Sequence, residues 1–228
     1  MHQVKPTLLN IKGSDEKFPV RRVYCVGRNY SEHSIEMGGQ SGEKPFFFSK
    51  PQDAVTQESH IPYPKGTEEL HYEAELVIFI GHDLPQSREP TEQEINDAIY
   101  GYATGIDLTR RDLQRVCKSK SRPWTVAKAF DLSAPVGEIL PAGEIDWHLA
   151  RSIMLWSNDV LKQDGRLEQM SVSPVALLKE LQSLFDIKAG DVLFTGTPAG
   201  VGVVNSGDHL RVEIEGLTEL SITIGDKK

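Results

Sequence analysis

The stretch Leu70-His71-Tyr72-Glu73-Ala74-Glu75-Leu76-Val77-Ile78-Phe79-Ile80 places two carboxylates directly before an apolar, partly β-branched run. That composition predicts a strand over residues 76–80. Residues at i and i+2 of a strand point the same way, so Glu73 and Glu75 share one face. Two like charges beside a segment that tends to be buried are unfavourable unless a positive group lies between them. A hard divalent cation such as Mg²⁺, which takes oxygen ligands, is the simplest candidate.

Further along the chain, Asp107 is a third carboxylate in a suggestive place. The strand-like run at residues 100–106 ends directly before it, and a polar helix start follows. A strand end is a suitable position for a third metal ligand, and it is also the ordinary position of a helix N-cap. For Glu73 and Glu75, the alternative to a metal site is a position on the solvent face of an edge strand. The local sequence leaves these alternatives open.

Composition narrows the class of protein. The chain has 228 residues, and 39% of them are hydrophobic, which is enough for one large domain with a core. A net charge of −8, without a block of Lys or Arg, argues against non-specific nucleic-acid binding. No apolar stretch approaches the roughly 20 residues of a membrane span. Cys25 and Cys117 lie far apart and no signal peptide is visible, so we expect a soluble cytoplasmic protein without a disulfide framework.

Short β-like runs dominate the chain, and a few helices interrupt them. The runs cover residues 22–26, 46–49, 76–80, 100–106, 153–157, 191–195, 209–214 and 220–224. Thr91-Glu92-Gln93-Glu94 is a capping box that opens a helix. Ser173-Pro174 opens another, with apolar positions at helical spacing, and residues 109–115 indicate a short third helix. Without a repeat or a linker, the sequence predicts one α+β domain that is mainly β.

Two further segments suit a bound anion. Lys128 lies among aromatic and apolar residues, where a lysine is seldom fully buried without a partner. It either supplies positive charge for a bound carboxylate or extends its ammonium group into water. The glycine-rich turn at residues 195–202 offers backbone N–H groups, although it lacks the spacing of a Walker or dinucleotide-binding loop. A sharp loop between strands is the alternative for this turn.

His33 and Glu36 are candidates for acid–base chemistry. Their i, i+3 spacing places both on one face of a helical turn. A carboxylate beside an imidazole fixes its tautomer and raises its basicity, as a general base requires. The polar, glycine-rich residues 38–44 favour a mobile loop, which is consistent with a movable lid. A surface His–Glu pair is the alternative.

Taken together, these segments resemble one enzyme family. The motifs stand in the order that is seen in the fumarylacetoacetate hydrolase superfamily, from about Arg22 to the C-terminus. They are Val26-Gly27-Arg28-Asn29-Tyr30, the His33/Glu36 pair, Pro45-Phe46-Phe47-Phe48-Ser49-Lys50-Pro51, His71-Tyr72-Glu73-Ala74-Glu75-Leu76, Gly105-Ile106-Asp107-Leu108-Thr109-Arg110-Arg111-Asp112, Lys128 and Thr195-Gly196-Thr197-Pro198-Ala199-Gly200-Val201-Gly202. The chain is similar to the short branch, which contains acylpyruvate hydrolases, fumarylpyruvate hydrolases and the closely similar oxaloacetate decarboxylases.

The resemblance implies a fold, an assembly and a set of site residues. We expect a mixed β-roll like the C-terminal domain of fumarylacetoacetate hydrolase, with an N-terminal extension at residues 1–20 and a single catalytic domain at residues 21–228. A homodimer with one Mg²⁺ or Mn²⁺ per subunit is also implied. Carried over by motif, the site comprises the metal ligands Glu73, Glu75 and Asp107, the catalytic residues His33, Glu36 and Lys128, and the substrate-binding residues Arg28, Arg111, Gln114, Lys128 and Thr197.

The activity that the resemblance implies is hydrolysis of a C–C bond in acylpyruvates, such as fumarylpyruvate or acetylpyruvate, to pyruvate and a carboxylic acid. The expected partner is a small 2-oxo acid, without nucleic acid or membrane. The presence of both His33 and Glu36 favours hydrolysis, because decarboxylation of oxaloacetate needs no hydrolytic water. Oxaloacetate decarboxylation at the same metal site is the main alternative. An isomerase of the superfamily and a catalytically inactive metal-binding member are the others.

Overall fold

The computed structural model describes residues 5–36, 38, 46–145 and 151–227, and β-strands dominate these residues. In chain order the strands are β1 (Leu8–Asn10), β2 (Lys17–Pro19), β3 (Val23–Gly27), β4 (Phe46–Lys50), β5 (Val55–Thr56), β6 (His60–Ile61), β7 (Leu70–Tyr72), β8 (Ala74–Ile80), β9 (Ile99–Ile106), β10 (Thr109–Arg110), β11 (Ala134–Pro135), β12 (Leu140–Pro141), β13 (Ser152–Ser157), β14 (Val160–Arg166), β15 (Val192–Phe194), β16 (Gly202–Val204), β17 (His209–Ile214) and β18 (Leu220–Ile224). The helices are α1 (Ser31–Glu36), α2 (Glu92–Ala98), α3 (Arg111–Ser119), α4 (Thr125–Lys128) and α5 (Pro174–Leu184). The predicted α+β class, mainly β, is confirmed.

A mixed six-stranded sheet in the order β12-β9-β8-β15-β3-β4 lies at the centre of the fold. The side chains of β8 alternate between two hydrophobic clusters on opposite faces of this sheet. The even-numbered residues from 76 to 80 belong to one cluster, and Val77 and Phe79 belong to the other. A strand that is covered on both faces is apolar throughout, which explains the uninterrupted run at residues 76–80.

A second, five-stranded sheet in the order β14-β13-β17-β18-β6 covers one face of the central sheet. It contributes Leu155, Val212 and Ile222 to the cluster that contains the even-numbered residues of β8. Helix α5 adds Leu178 and Leu181 to the same cluster. The larger core therefore lies between the two sheets, and it covers one face of β8.

The N-terminal residues cover the other face of the central sheet. Strands β1 and β2 pair as an antiparallel hairpin. Leu9 and Phe18 are buried in the cluster that contains Val77 and Phe79. The Phe18 ring meets the Phe79 ring edge to face at a centroid distance of 5.3 Å. The hairpin thus packs as part of the folded unit, and a domain boundary at residue 21 stays a prediction.

Most predicted elements are confirmed within a residue or two. The capping box of Thr91 opens α2, and Ser173 caps α5 with Pro174 in its first turn. Helix α3 begins at Arg111 rather than at residue 109, because the two preceding residues pair with β7 as β10. Most of the predicted mobile loop at residues 38–44 lies outside the described residues. Within the ranges that the structure describes, no helix is long and apolar enough to cross a membrane.

Candidate metal centre and active-site pocket

Three buried carboxylates converge beside the central sheet, and we call them the carboxylate triad. Glu73 lies between β7 and β8, Glu75 lies in β8, and Asp107 directly follows β9. Strands β8 and β9 are antiparallel with Ala74 opposite Ile106, which brings Asp107 beside Glu73. The Asp107 amide donates to the Glu73 carbonyl oxygen at 2.8 Å. One ligand atom from each carboxylate lies within 4.8 Å of the other two.

The alternatives that the sequence left open for these residues are wrong. Glu73 is 5% exposed and Glu75 is 1% exposed, so neither lies on a solvent face. Asp107 is completely buried. The next helix begins at Arg111 and has Arg110 at its N-cap position, so Asp107 does not cap it.

The negative charges of the triad are buried close together, which is unfavourable unless a cation offsets their repulsion. Burial, followed by the charges of Asp107 and Glu73, raises the pKa of Glu75 well above its usual value. Burial also acts to raise the pKa of Glu73, but Lys128 and Arg111 outweigh it and lower that pKa. Asp107 Oδ1 accepts no hydrogen bond among the described residues, and its neighbour at 2.8 Å is the ammonium group of Lys50. Three converging carboxylates fit Mg²⁺ or Mn²⁺, both of which prefer oxygen ligands.

Two buried lysines contact the triad. Lys128, at the end of α4, places Nζ 2.7 Å from Glu73 Oε2 and 2.6 Å from Asp107 Oδ2. Burial acts to lower the pKa of Lys128, but Asp107 and Glu73 outweigh it and raise that pKa. The alternative in which Lys128 extends into water is therefore wrong. Sequence reasoning gave Lys50 no role in the site. Its Nζ forms an ion pair with Asp107 Oδ1 at 2.8 Å and donates to Ser133 Oγ at 2.9 Å.

His33 and Glu36 lie together on α1. Nδ1 of His33 is 3.1 Å from Oε2 of Glu36. Burial acts to raise the pKa of Glu36, but hydrogen bonds from His33 and from the Gly200 amide outweigh it and lower that pKa. His33 is buried and lines the same pocket as Glu73 and Glu75. The alternative of a surface pair is therefore wrong for His33.

The glycine-rich turn at residues 195–202 binds carboxylates of the protein itself. Gly196 N donates to Glu75 Oε2 at 2.7 Å, and Gly200 N donates to Glu36 Oε1 at 3.2 Å. The φ angles of these glycines are 98° and 95°, in the region that favours glycine. The segment is thus a sharp loop whose backbone amides bind two carboxylate side chains of the protein. It fixes one member of the triad and the carboxylate that orients His33.

The residues predicted to bind substrate line one pocket together with His33, Glu73 and Glu75. They are Arg28, Arg111, Gln114, Lys128 and Thr197. The Arg111 guanidinium donates to Glu73 Oε1 and to Gln114 Oε1, both at 2.6 Å. Their roles in substrate binding stay predictions, but the structure brings them to the same cavity.

Gln163, on β14, connects two walls of this pocket and was missed by sequence reasoning. Its Oε1 accepts a hydrogen bond from the Ala74 amide at 3.0 Å, between the two glutamates of the triad. Its Nε2 donates to Thr197 Oγ1 and to the Pro198 carbonyl, both at 2.8 Å. Gln163 is completely buried, although most of its strand is exposed. We infer that it positions the triad and the glycine-rich turn relative to each other.

We expect Gln163→Leu to destabilise the protein and to weaken Mg²⁺ binding. Leucine leaves the buried Ala74 amide and Pro198 carbonyl without this partner, at a cost of about 1–3 kcal/mol for each group. The free energy of unfolding in urea should fall by about 2–5 kcal/mol, and the Kd for Mg²⁺ should rise. The control is Gln93→Leu on the exposed side of α2, where the amide contacts Asp97. It should change stability by less than about 0.5 kcal/mol, and equal effects of the two substitutions would contradict the positioning role.

Comparisons with known proteins point to one family. A family model described as "Fumarylacetoacetate (FAA) hydrolase C-terminal" matches residues 22–225. Oxaloacetate tautomerase YcgM of Escherichia coli (strain K12) is 38% identical over 209 residues, which is 91% of this chain and 94% of that protein. The mitochondrial oxaloacetate decarboxylase of Dictyostelium discoideum is 34% identical over 201 residues, which is 86% of this chain and 90% of that protein.

A solved structure shows the same architecture. The crystal structure of fumarylpyruvate hydrolase from Pseudomonas aeruginosa, in complex with Mn²⁺ and pyruvate, matches with a TM-score of 0.94 and 40% identity. The match covers 100% of this chain and 99% of that chain. The fold predicted from the resemblance, a mixed β-roll with a few short helices, is confirmed.

Proposed function

Because this chain belongs to the fumarylacetoacetate hydrolase family, we propose that it is a metal-dependent hydrolase that cleaves acylpyruvates to pyruvate and a carboxylic acid. One observation carries the proposal: His33, hydrogen-bonded to Glu36, lines the same pocket as two members of the carboxylate triad. Hydrolysis requires a base that activates water and a cation that polarises the 2-oxo acid, and this pocket offers His33 for the first and carboxylate ligands for the second. The Pseudomonas fumarylpyruvate hydrolase binds Mn²⁺ and pyruvate, the product that such hydrolysis releases.

A bound metal and the side chains of the pocket would perform different tasks in the reaction. A divalent cation held by the triad would supply Lewis-acid polarisation of the 2-oxo acid. His33 would take a proton from water at Nε2, because Nδ1 faces Glu36. The hydroxide adds to the carbonyl carbon of the acyl group, and the bond from that carbon to the adjacent methylene breaks. The electron pair passes to pyruvate, which leaves as its enolate and takes up the proton at carbon. Lys128 and Thr197 would bind the carboxylate or oxo group of the pyruvyl end.

Chemistry on oxaloacetate is the second candidate, and two relatives favour it. One carries the name oxaloacetate tautomerase and the other the name oxaloacetate decarboxylase. Oxaloacetate offers the same carboxylate and oxo oxygens to a metal as an acylpyruvate does. Tautomerisation moves a proton between carbon and oxygen, and decarboxylation releases CO₂, so neither reaction consumes water. The two candidates therefore differ in their need for an activated water.

A substrate panel with each metal tests the proposal. The purified protein is incubated with fumarylpyruvate, acetylpyruvate or oxaloacetate in the presence of Mg²⁺, Mn²⁺ or EDTA, and pyruvate, carboxylic acid and CO₂ are quantified. We expect equal amounts of pyruvate and carboxylic acid from at least one acylpyruvate with metal, and none above background with EDTA. Absence of acylpyruvate cleavage would overturn the hydrolase, and release of pyruvate and CO₂ from oxaloacetate in the same panel would favour the second candidate.

A further inference from the structure

Three acceptors surround the Arg111 guanidinium, and one of them is a histidine that has no task in the proposed hydrolysis. The terminal nitrogens of Arg111 donate to Glu73 and Gln114, and its Nε donates to His71 Nδ1 at 3.3 Å. A guanidinium has five N–H groups and accepts no hydrogen bond. One N–H on each terminal nitrogen therefore has no acceptor among the described residues. Arg111 lines the pocket, so these two groups are available to a bound anion.

The contact with Arg111 determines which nitrogen of His71 carries the proton. Because Arg111 Nε can only donate, His71 Nδ1 must accept, and the imidazole carries its proton on Nε2. His71 Nε2 lies 2.9 Å from Glu69 Oε1, an oxygen that accepts this proton in a hydrogen bond. Both contacts therefore require the same tautomer and the same orientation of the ring. A histidine that is bound at both nitrogens in this way is a fixed acceptor for Arg111.

Glu69 anchors this histidine to helix α3. Residues 69, 71 and 73 share one face of the chain at β7, because strand side chains alternate. Arg115 lies one turn after Arg111 on α3, and it donates to Glu69 Oε1 at 2.9 Å and also contacts Oε2. The Glu69 carbonyl oxygen accepts a hydrogen bond from the Arg111 amide at 2.8 Å. A continuous network of acidic, basic and imidazole groups thus runs from the triad to the exposed side chain of Arg115.

The position of the three acceptors fixes the orientation of the guanidinium. Glu73 and Gln114 contact only the terminal nitrogens, so the contact with His71 is the one that holds Nε. Acceptors on three sides of a planar group define both its plane and its rotation within that plane. Small displacements of a group that positions a substrate have large effects, and about 1 Å can cost a factor of about 10² in rate. Loss of the contact at Nε is therefore expected to affect a ligand of Arg111.

We propose that His71 is a positioning residue that holds Arg111 in the orientation with which it binds the 2-oxo acid. This inference rests on the proposed function, because it assigns the two remaining N–H groups of Arg111 to the substrate. His71 acts only through Arg111, and Glu69 keeps its ring and its proton in place. The alternative is that the network does no more than join α3 to β7. The two roles differ in what a substitution of His71 does to ligand binding.

Calorimetric titration of the Mg²⁺-saturated protein with pyruvate tests the proposal through two substitutions. His71→Asn places an amide oxygen at the position of Nδ1, so it keeps an acceptor for Arg111. His71→Gln places its amide near the position of Nε2, so it keeps a donor for Glu69 but loses that acceptor. We expect the Kd for pyruvate to rise by about tenfold or more in His71→Gln, and by about threefold or less in His71→Asn. The control His82→Gln, at an exposed position, should leave the Kd unchanged.

A double substitution separates positioning from a purely structural role. In an Arg111→Met background, His71→Gln should raise the Kd for pyruvate by less than about twofold, because no guanidinium is left to orient. An unchanged Kd in His71→Gln, an equal rise in His71→Asn, or the full rise in the Arg111→Met background would each overturn the proposal, as would a wild type that does not bind pyruvate. Because the titration involves no turnover, its failure is distinct from failure of the hydrolase proposal, which acylpyruvate cleavage tests.

Discussion

Replacing Glu75 by glutamine is expected to stabilise the metal-free protein while weakening its binding of Mg²⁺. Glu75 is buried beside Glu73 and Asp107, so the substitution removes one of three mutually repelling charges. The melting temperature in EDTA should rise by about 2–4 °C for each 1 kcal/mol of repulsion that is relieved. The loss of an outer partner of a metal ligand typically lowers metal affinity by about 10–100-fold. Loss of Glu75 itself should exceed that range, and hydrolysis of acylpyruvates should fall with it.

The shape of glutamine isolates the effect of charge. Its amide oxygen can still accept the hydrogen bond that Gly196 donates to Glu75 at 2.7 Å. The control Glu58→Gln removes an exposed carboxylate and should change neither the melting temperature nor the Mg²⁺ affinity. Thermal melts in EDTA and calorimetric titration with Mg²⁺ give the two readouts. A variant that melts at a lower temperature without metal would contradict mutual repulsion in the triad. A variant that binds Mg²⁺ as tightly as the wild type would refute a metal centre on the triad.

His33→Asn is expected to remove most of the hydrolytic activity while the metal affinity stays unchanged. The asparagine amide can hydrogen-bond to Glu36 but cannot accept a proton at neutral pH. General acid–base catalysis contributes about 10²–10⁴-fold, and kcat for pyruvate release should fall by that factor. Mg²⁺ affinity should be preserved because the triad is intact. Steady-state kinetics and calorimetric titration with Mg²⁺ measure the two quantities on the same preparation.

The same variant distinguishes between the two candidate reactions. Decarboxylation of oxaloacetate needs no water, so it should lose less activity than acylpyruvate hydrolysis does. The matched control is His82→Asn at an exposed position, which should leave both reactions unaffected. Wild-type hydrolysis by His33→Asn would exclude His33 as the base. Equal loss of both reactions would instead assign His33 to a proton transfer that they share.

Short-range rules indicated the members of the carboxylate triad as candidates, and the family resemblance joined them into one predicted ligand set. Glu73 and Glu75 are separated by one residue at the start of a buried strand, and strand alternation gives them one face. Asp107 follows the strand that pairs with β8, and strands that are neighbours in sequence are often neighbours in a sheet. The starts of α2 and α5 were predictable for the same reason, since Thr91 and Ser173 cap their own first turns.

Residues whose roles depend on distant contacts were not predictable. Gln163 reaches its partner in β8 across 89 residues, and Lys50 reaches Ser133 across 83 residues. Lys128 is an intermediate case, because its aromatic neighbours mark it as unusual but its contact with Asp107 depends on tertiary structure. Lys118 lines the pocket but lies beyond the helix predicted at residues 109–115, and only the extension of α3 to Ser119 places it there.

The place of β15 in the central sheet has a consequence for biosynthesis. This strand pairs with β3 on one side and with β8 on the other. While a ribosome is still translating residues before 192, the edges that β3 and β8 later share with β15 are open, and Gly196, which holds Glu75, has not been made. Open strand edges invite association with other chains. A nascent chain stalled at that stage therefore exposes two unpaired strand edges, on β3 and β8, which are paired with β15 in the folded protein.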